Sequence, residues 1–169
     1  MKPEPMQSWI ETWGAMGVLW GINRSMARVN ALLIASDEPL ALDDIAKRLG
    51  MSRGNASMCL KELRGWRVIH RVHLPGDRRD FYVAEGDVWR MFFRIVSERK
   101  RREFDPALAA VREALGGARG TLSDQVRRRL EDMEQLLGLL DRLGDRFLQG
   151  EDSVRPLLKL FLEKLIPSR

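Results

Sequence analysis

The residues from Leu42 to Ala84 constrain this chain most, because their hydrophobic period switches partway along. Leu42, Ile45, Ala46 and Leu49 recur at helical spacing. Gly50 follows, and glycine takes the left-handed conformation that ends a helix at no steric cost. Ser52 is a good N-cap for a second helix with the inward stripe Ala56, Leu60 and Leu63. From Val68 to Leu74 the period drops to two, and Phe81, Tyr82 and Val83 form a second β-prone run. Between these runs, Pro75-Gly76-Asp77-Arg78-Arg79-Asp80 reads as a turn. Helix, turn, helix and basic hairpin outline a winged helix-turn-helix. In that arrangement the second helix enters a major groove and the wing reaches the neighbouring backbone or minor groove.

Charge supports that outline. Between Met51 and Phe81, seven Lys and Arg residues face three acids, which leaves +4 of the chain's formal +5. A local cationic excess is what phosphate neutralisation requires. The expected contacts to double-stranded DNA are Ser52, Arg53, Asn55, Ser57, Met58 and Lys61 on the second helix, with Arg78 and Arg79 at the hairpin tip. The bland alternative is a winged helix that serves protein–protein interaction or assembly without specific DNA binding.

Composition excludes other classes. With 169 residues, 44 % hydrophobic and 31 % charged, the chain can bury an ordinary core. Cys59 is the only cysteine, so an intrachain disulfide is excluded and a reducing cytoplasm is expected. Cys59 adjoins the inward stripe and is expected to be a packed side chain rather than a redox sensor. No run approaches the roughly 20 apolar residues of a membrane span, and the first residues lack a signal-peptide pattern. Nucleotide-binding, metalloprotease and nucleophile-elbow motifs are absent, so no enzyme and no cofactor is expected. His70 and His73 fall on opposite faces of a strand, which leaves no metal-ligand set.

The flanks look helical. One segment is expected from Met6 to about Ser36, with Trp9, Trp13, Met16 and Trp20 on one stripe. Gly14, Gly17 and Gly21 permit a bend or a close helix contact. The tryptophans suit a core or a dimer interface; Trp13 and Trp20 are also candidates for a small-molecule effector, since aromatic cages hold quaternary ammonium groups. After the wing, Asp87 reads as an N-cap before a stripe through Val88, Met91, Phe92, Ile95 and Val96. The run Arg99-Lys100-Arg101-Arg102 is either a solvated face or an extra phosphate clamp. Gly116 to Gly120 breaks the chain, and Thr121 is expected to cap the next helix. There Val126, Met133, Leu140 and Phe147 recur every seven residues, with Leu122, Leu136 and Leu143 in the companion position. Ser153 would cap a last helix that includes Leu157, Leu158, Phe161, Leu162 and Leu165.

Several of these stretches resemble one family. They are Pro39-Leu40 through Ile45-Ala46, Met51 to Ser57, Gly76-Asp77-Arg78-Arg79, Asp87 to Phe92 and Glu98 to Glu103. Together they resemble the MarR-type regulators, in particular the GbsR-like branch, over roughly residues 17 to 110. The resemblance implies a repressor that binds DNA as a dimer, in a branch where some members respond to compatible-solute precursors such as choline. Cys59 departs from the pattern, where a polar residue is common, and so does Arg67, where glycine follows the tryptophan.

The sequence therefore predicts a mainly α protein with a small two-stranded wing. Residues 1–36 form an N-terminal helical segment, 37–86 the winged helix-turn-helix, and 87–169 a helical linker and dimerisation region. The expected function is transcription regulation on a pseudo-palindromic operator by a cytoplasmic homodimer, with a small-molecule effector.

Overall fold

The computed structural model describes residues 5–117, 122–150, 154–158 and 160. The elements run α1 (Pro5–Leu19), α2 (Arg24–Ile34), β1 (Leu40–Ala41), α3 (Leu42–Leu49), α4 (Arg53–Gly65), β2 (Ile69–Val72), β3 (Phe81–Ala84), α5 (Val88–Arg99), a π-helical turn (Lys100–Phe104), α6 (Asp105–Gly117) and α7 (Asp124–Gln149). They divide into two compact units, Met1–Arg94 and Ile95–Arg169. No helix among the described residues is long and apolar enough to cross a membrane.

In the first unit, α2 is the central element. Asn23 caps it by accepting from the N–H groups of Ser25 and Met26 at 2.9 and 3.3 Å. Val29, Ala31, Leu32 and Leu33 are buried along it. Around them lie Ile45 and Leu49 of α3, Ala56, Leu60 and Leu63 of α4, Val68 just before β2, and Ile69 and Phe81 of the sheet. A polar residue, Asn30, is buried in this core and donates to the Met91 sulfur of α5 at 3.7 Å.

The single helix expected from Met6 to Ser36 is instead two. Gly21 takes φ 71°, a left-handed turn that separates α1 from α2. Gly17 does the other job anticipated for these glycines. A Cβ there would lie 2.5 Å from the Ala27 Cβ, so its absence lets α1 and α2 touch.

Gly50 closes α3 in the left-handed region at φ 60°, and Ser52 caps α4 by accepting from Asn55 N–H at 3.2 Å. The wing is a hairpin in which Arg71 faces Tyr82 and Val72 faces Phe81. It gains a strand the sequence did not suggest: Leu40–Ala41 pairs with β3, so the sheet has three strands in the order β1-β3-β2. Two residues are too few to announce a strand by periodicity.

Arg67 makes the turn from α4 into the wing at φ 59°. This is the position where glycine is usual in the resembling family, and the backbone explains why: a side chain is strained there.

In the second unit α7 packs on α6. Ser123 caps α7, accepting from Val126 N–H. Thr121, expected to do so, lies outside the described residues, as do Ser153, Phe161, Leu162 and Leu165. Residues 154–158 are helical. α7 meets its own unit through half-buried leucines, Leu130, Leu137 and Leu148, and through polar and small residues. Glu134 pairs with Arg112 of α6 at 2.9 Å, and Gly138 is buried. Asp141 and Asp145 bind Lys100 Nζ at 2.7 and 3.0 Å, and Asp105 binds it at 2.8 Å. These carboxylates, Asp105 foremost, hold the Lys100 ammonium well above lysine's usual range. The middle of the heptad stripe faces outward, with Met133, Leu136, Leu140 and Leu143 exposed, whereas Leu122 and Phe147 at its ends are half-buried.

Two substitutions test this packing. Arg67→Gly should raise the denaturant midpoint, adding up to about 1 kcal/mol once the unfolded-state entropy of glycine is deducted from the relieved strain. Gly17→Ala should lower it by about 1–3 kcal/mol through overpacking against Ala27. An Arg67→Gly variant that loses stability contradicts the strained-turn assignment.

Candidate nucleic-acid interface

The inward stripe of α4 decides what its outer face carries. With Ala56, Cys59, Leu60 and Leu63 buried, Ser52, Arg53, Asn55, Ser57, Met58 and Lys61 are all left exposed. The structure gives them different freedom. Met58 is 70 % exposed, and Lys61 makes no ion pair among the described residues. Arg53 Nε lies 3.4 Å from Asp43 of α3, an exposed pair worth little in water and readily exchanged for another anion. Asn55 is tied down. Its Nδ2 donates to Ser25 Oγ of α2 at 3.3 Å, and its Oδ1 accepts from the Cys59 thiol at 3.6 Å. Both ends of the amide are engaged within the protein, which fixes its orientation.

Cys59 itself is buried, and burial pushes its thiol above the usual range. That suits the packed side chain expected from the sequence and not a thiolate.

The two wing arginines also differ. Asp77 Oδ1 accepts from the Arg79 backbone N–H at 2.9 Å, and its carboxylate holds the Arg79 guanidinium at 2.7 and 3.0 Å. The guanidinium lies 5.1 Å from the Phe81 ring centroid, in cation–π range. The bond from Arg79 holds the Asp77 carboxyl below its usual range. Arg79 thus shapes the turn, whereas the sequence reading gave both arginines to DNA. Arg78 is exposed and makes no ion pair among the described residues.

Several contributors were not foreseen. Arg71 pairs with Asp80 at 3.1 Å along the hairpin, and Ser25 sits beside the start of α4. The Asp77-x-Arg79 spacing inside a turn was the available signal for the wing staple. Ser25 had none, since it is remote from Asn55 in sequence.

The basic run after the wing is matched within its own unit. Arg99 pairs with Glu103 at 2.7 Å, and Arg101 and Arg102 with Glu98 at 2.6 and 3.2 Å. Lys100 sits among three carboxylates. This is a paired helix face, with little free charge for phosphate. His70 and His73 face different acids, Glu85 and Asp80. Trp13 is half-buried and its ring contact is with Trp9, at 5.7 Å between centroids. Trp20 lies beyond the end of α1 and is exposed.

This architecture is a winged helix-turn-helix: α3, a glycine turn, α4 with an exposed polar face, and a hairpin carrying the exposed Arg78. The chain is similar to the HTH-type transcriptional repressor GbsR of Bacillus subtilis (strain 168), at 29 % identity over 96 residues, 57 % of this chain and 53 % of that protein. It is also similar to the putative HTH-type transcriptional regulator YvaV of the same organism, at 24 % over 78 residues, 46 % of this chain and 44 % of that one. The chain therefore spans about half the length of the curated relatives it matches. A crystal structure of a transcriptional regulator superposes with a TM-score of 0.66 at 20 % identity, covering 86 % of this chain and 97 % of that one, which establishes the likeness of fold. No family model matches the chain. The resemblance to the GbsR-like branch read from the sequence is borne out by these relatives.

The unequal roles of Arg78 and Arg79 are separable in a titration. Arg78→Ala should leave the melting temperature unchanged and make the salt dependence of DNA affinity shallower by about one unit per subunit. Arg79→Ala should weaken binding and also loosen the hairpin, seen as faster amide exchange from Val72 to Phe81. Equal amide exchange in the two variants contradicts the distinction.

Proposed function

We propose that this chain is a DNA-binding transcription regulator, a repressor, that acts as a homodimer on a pseudo-palindromic operator. The observation that carries the reading is the exposed face of α4 beside a wing whose Arg78 makes no ion pair among the described residues. The names of the similar proteins support it, as does the local cationic excess. In this reading Arg53, Ser57 and Met58 meet base edges, while Lys61 and Arg78 neutralise phosphate. Asn55 either holds α4 against Ser25 or is recruited to an adenine when DNA arrives.

The homodimer reading rests on α7. This helix turns Glu134, Gly138, Asp141 and Asp145 toward its own unit and leaves Leu136 and Leu143 58 % and 52 % exposed. Burying each such leucine is worth about 1.5–3 kcal/mol, and a second copy offers a matching surface. Two recognition helices must then stand about 34–36 Å apart to enter successive major grooves. An effector that changes this spacing would release the operator. The exposed Trp20 and the half-buried Trp13 are the proposed contacts for its cationic head group.

The first test is a gel shift on random duplex at low salt, where the protein should bind and lose affinity steeply as salt rises. No shift at any salt contradicts the reading and favours a protein-interaction module. The dimer has its own test in sedimentation. Leu136→Glu with Leu140→Glu should give monomers, because the charges must stay in water. Operator affinity should fall sharply with it. A double variant that remains a dimer with full affinity excludes this face.

A further inference from the structure

Glu85 follows β3 directly, and its side chain is only 8 % exposed. Its Oε2 takes Arg94 Nη1 at 2.6 Å and lies 3.2 Å from His70 Nε2. Its Oε1 accepts from the backbone N–H of Asp87 at 3.2 Å and lies 3.5 Å from Arg90 Nη1. The backbone of Glu85 adds a bond to Val68 O at 2.9 Å. Arg94 in turn reaches the carbonyl of Arg67, the strained residue that starts the wing. Asp87 caps α5 through the N–H groups of Trp89 and Arg90. One carboxylate therefore ties β2, the end of β3 and two turns of α5 together.

This carboxylate is held in its charged form by its donors. Burial acts to raise its pKa; the bonds from Asp87, His70 and Arg94 outweigh that and hold it below the usual range. We infer that Glu85 is a positioning residue for DNA binding: it fixes the angle of the wing on α5 and so places Arg78 against the backbone. The inference rests on the DNA-binding reading above. Leverage makes the position sensitive. From Ile69 to Gly76 the hairpin extends about 20 Å at ~3.3 Å per residue. A rotation of about 10° at its base moves the tip by roughly 3–4 Å, more than the length of a hydrogen bond.

The experiment is a double-mutant cycle read by fluorescence anisotropy on a short random duplex across salt concentrations. Glu85→Gln keeps the shape and removes the charge. It should reproduce the shallower salt slope of Arg78→Ala, by about one unit, and Arg78→Ala should then cost little more. Full additivity in a variant that melts with the wild type overturns the inference, because a merely structural Glu85 would leave the Arg78 contribution intact. If Glu85→Gln does not fold, His70→Ala takes its place: His70 is about half exposed and removes one wing-side partner. Coupling of His70→Ala to Arg78→Ala supports the inference, and additivity overturns it. A wild-type protein that binds no duplex overturns the functional reading and this inference with it. Duplex binding with an intact Arg78 effect and no coupling overturns the inference alone.

Discussion

The burial of one stripe of α4 against α2 governs the rest of the first unit. Ala56, Leu60 and Leu63 are nearly inaccessible, and at about 1.5–3 kcal/mol for each large side chain they fix the rotation of the helix. A different rotation would bury Lys61 or Arg53 without a partner, which costs several kcal/mol. The polar face of α4 is thus outside because its apolar face must be inside. The short turn through Gly50 and Ser52 then sets how α4 leaves α3.

The second layer is electrostatic, and many of the cations in this chain are already spent on the protein. Arg28 and Arg24 bind Glu11, whose carboxyl these bonds hold low against the opposing effect of burial. Arg79 binds Asp77, and Arg90 and Arg94 bind Glu85. Net charge alone would credit all of them to a phosphate surface. The paired arginines shape the scaffold, and Lys61 and Arg78, which make no ion pair among the described residues, are left to meet an anion.

Periodicity made the helices, the glycine turn, the Ser52 cap and the hairpin legible, because each rests on neighbours within a few residues. It also selected the exposed face of α4, since whatever is not on the buried stripe must face out. What it missed depends on residues far apart in the chain. Gly21 and Gly17 are the same residue type, yet a left-handed φ makes one a hinge and the nearness of Ala27 makes the other a contact. Asn55 looked free until Ser25 was placed beside it. Glu85 carries no signal in the sequence, because its partners His70 and Arg94 lie on other elements. The heptad stripe of α7 was legible, yet the polar seam facing α6 was not, because Lys100 and Asp141 carry no shared pattern.

The central claim is that two copies of this winged unit read one duplex through α4 with the wings on the flanking backbone. Hydroxyl-radical footprinting on a duplex selected from a random pool tests it most directly. The account predicts two protected half-sites related by a two-fold axis, with centres about 34–36 Å apart and flanking protection that disappears in Arg78→Ala. A single protected segment, or protection unchanged by Arg78→Ala, would contradict it.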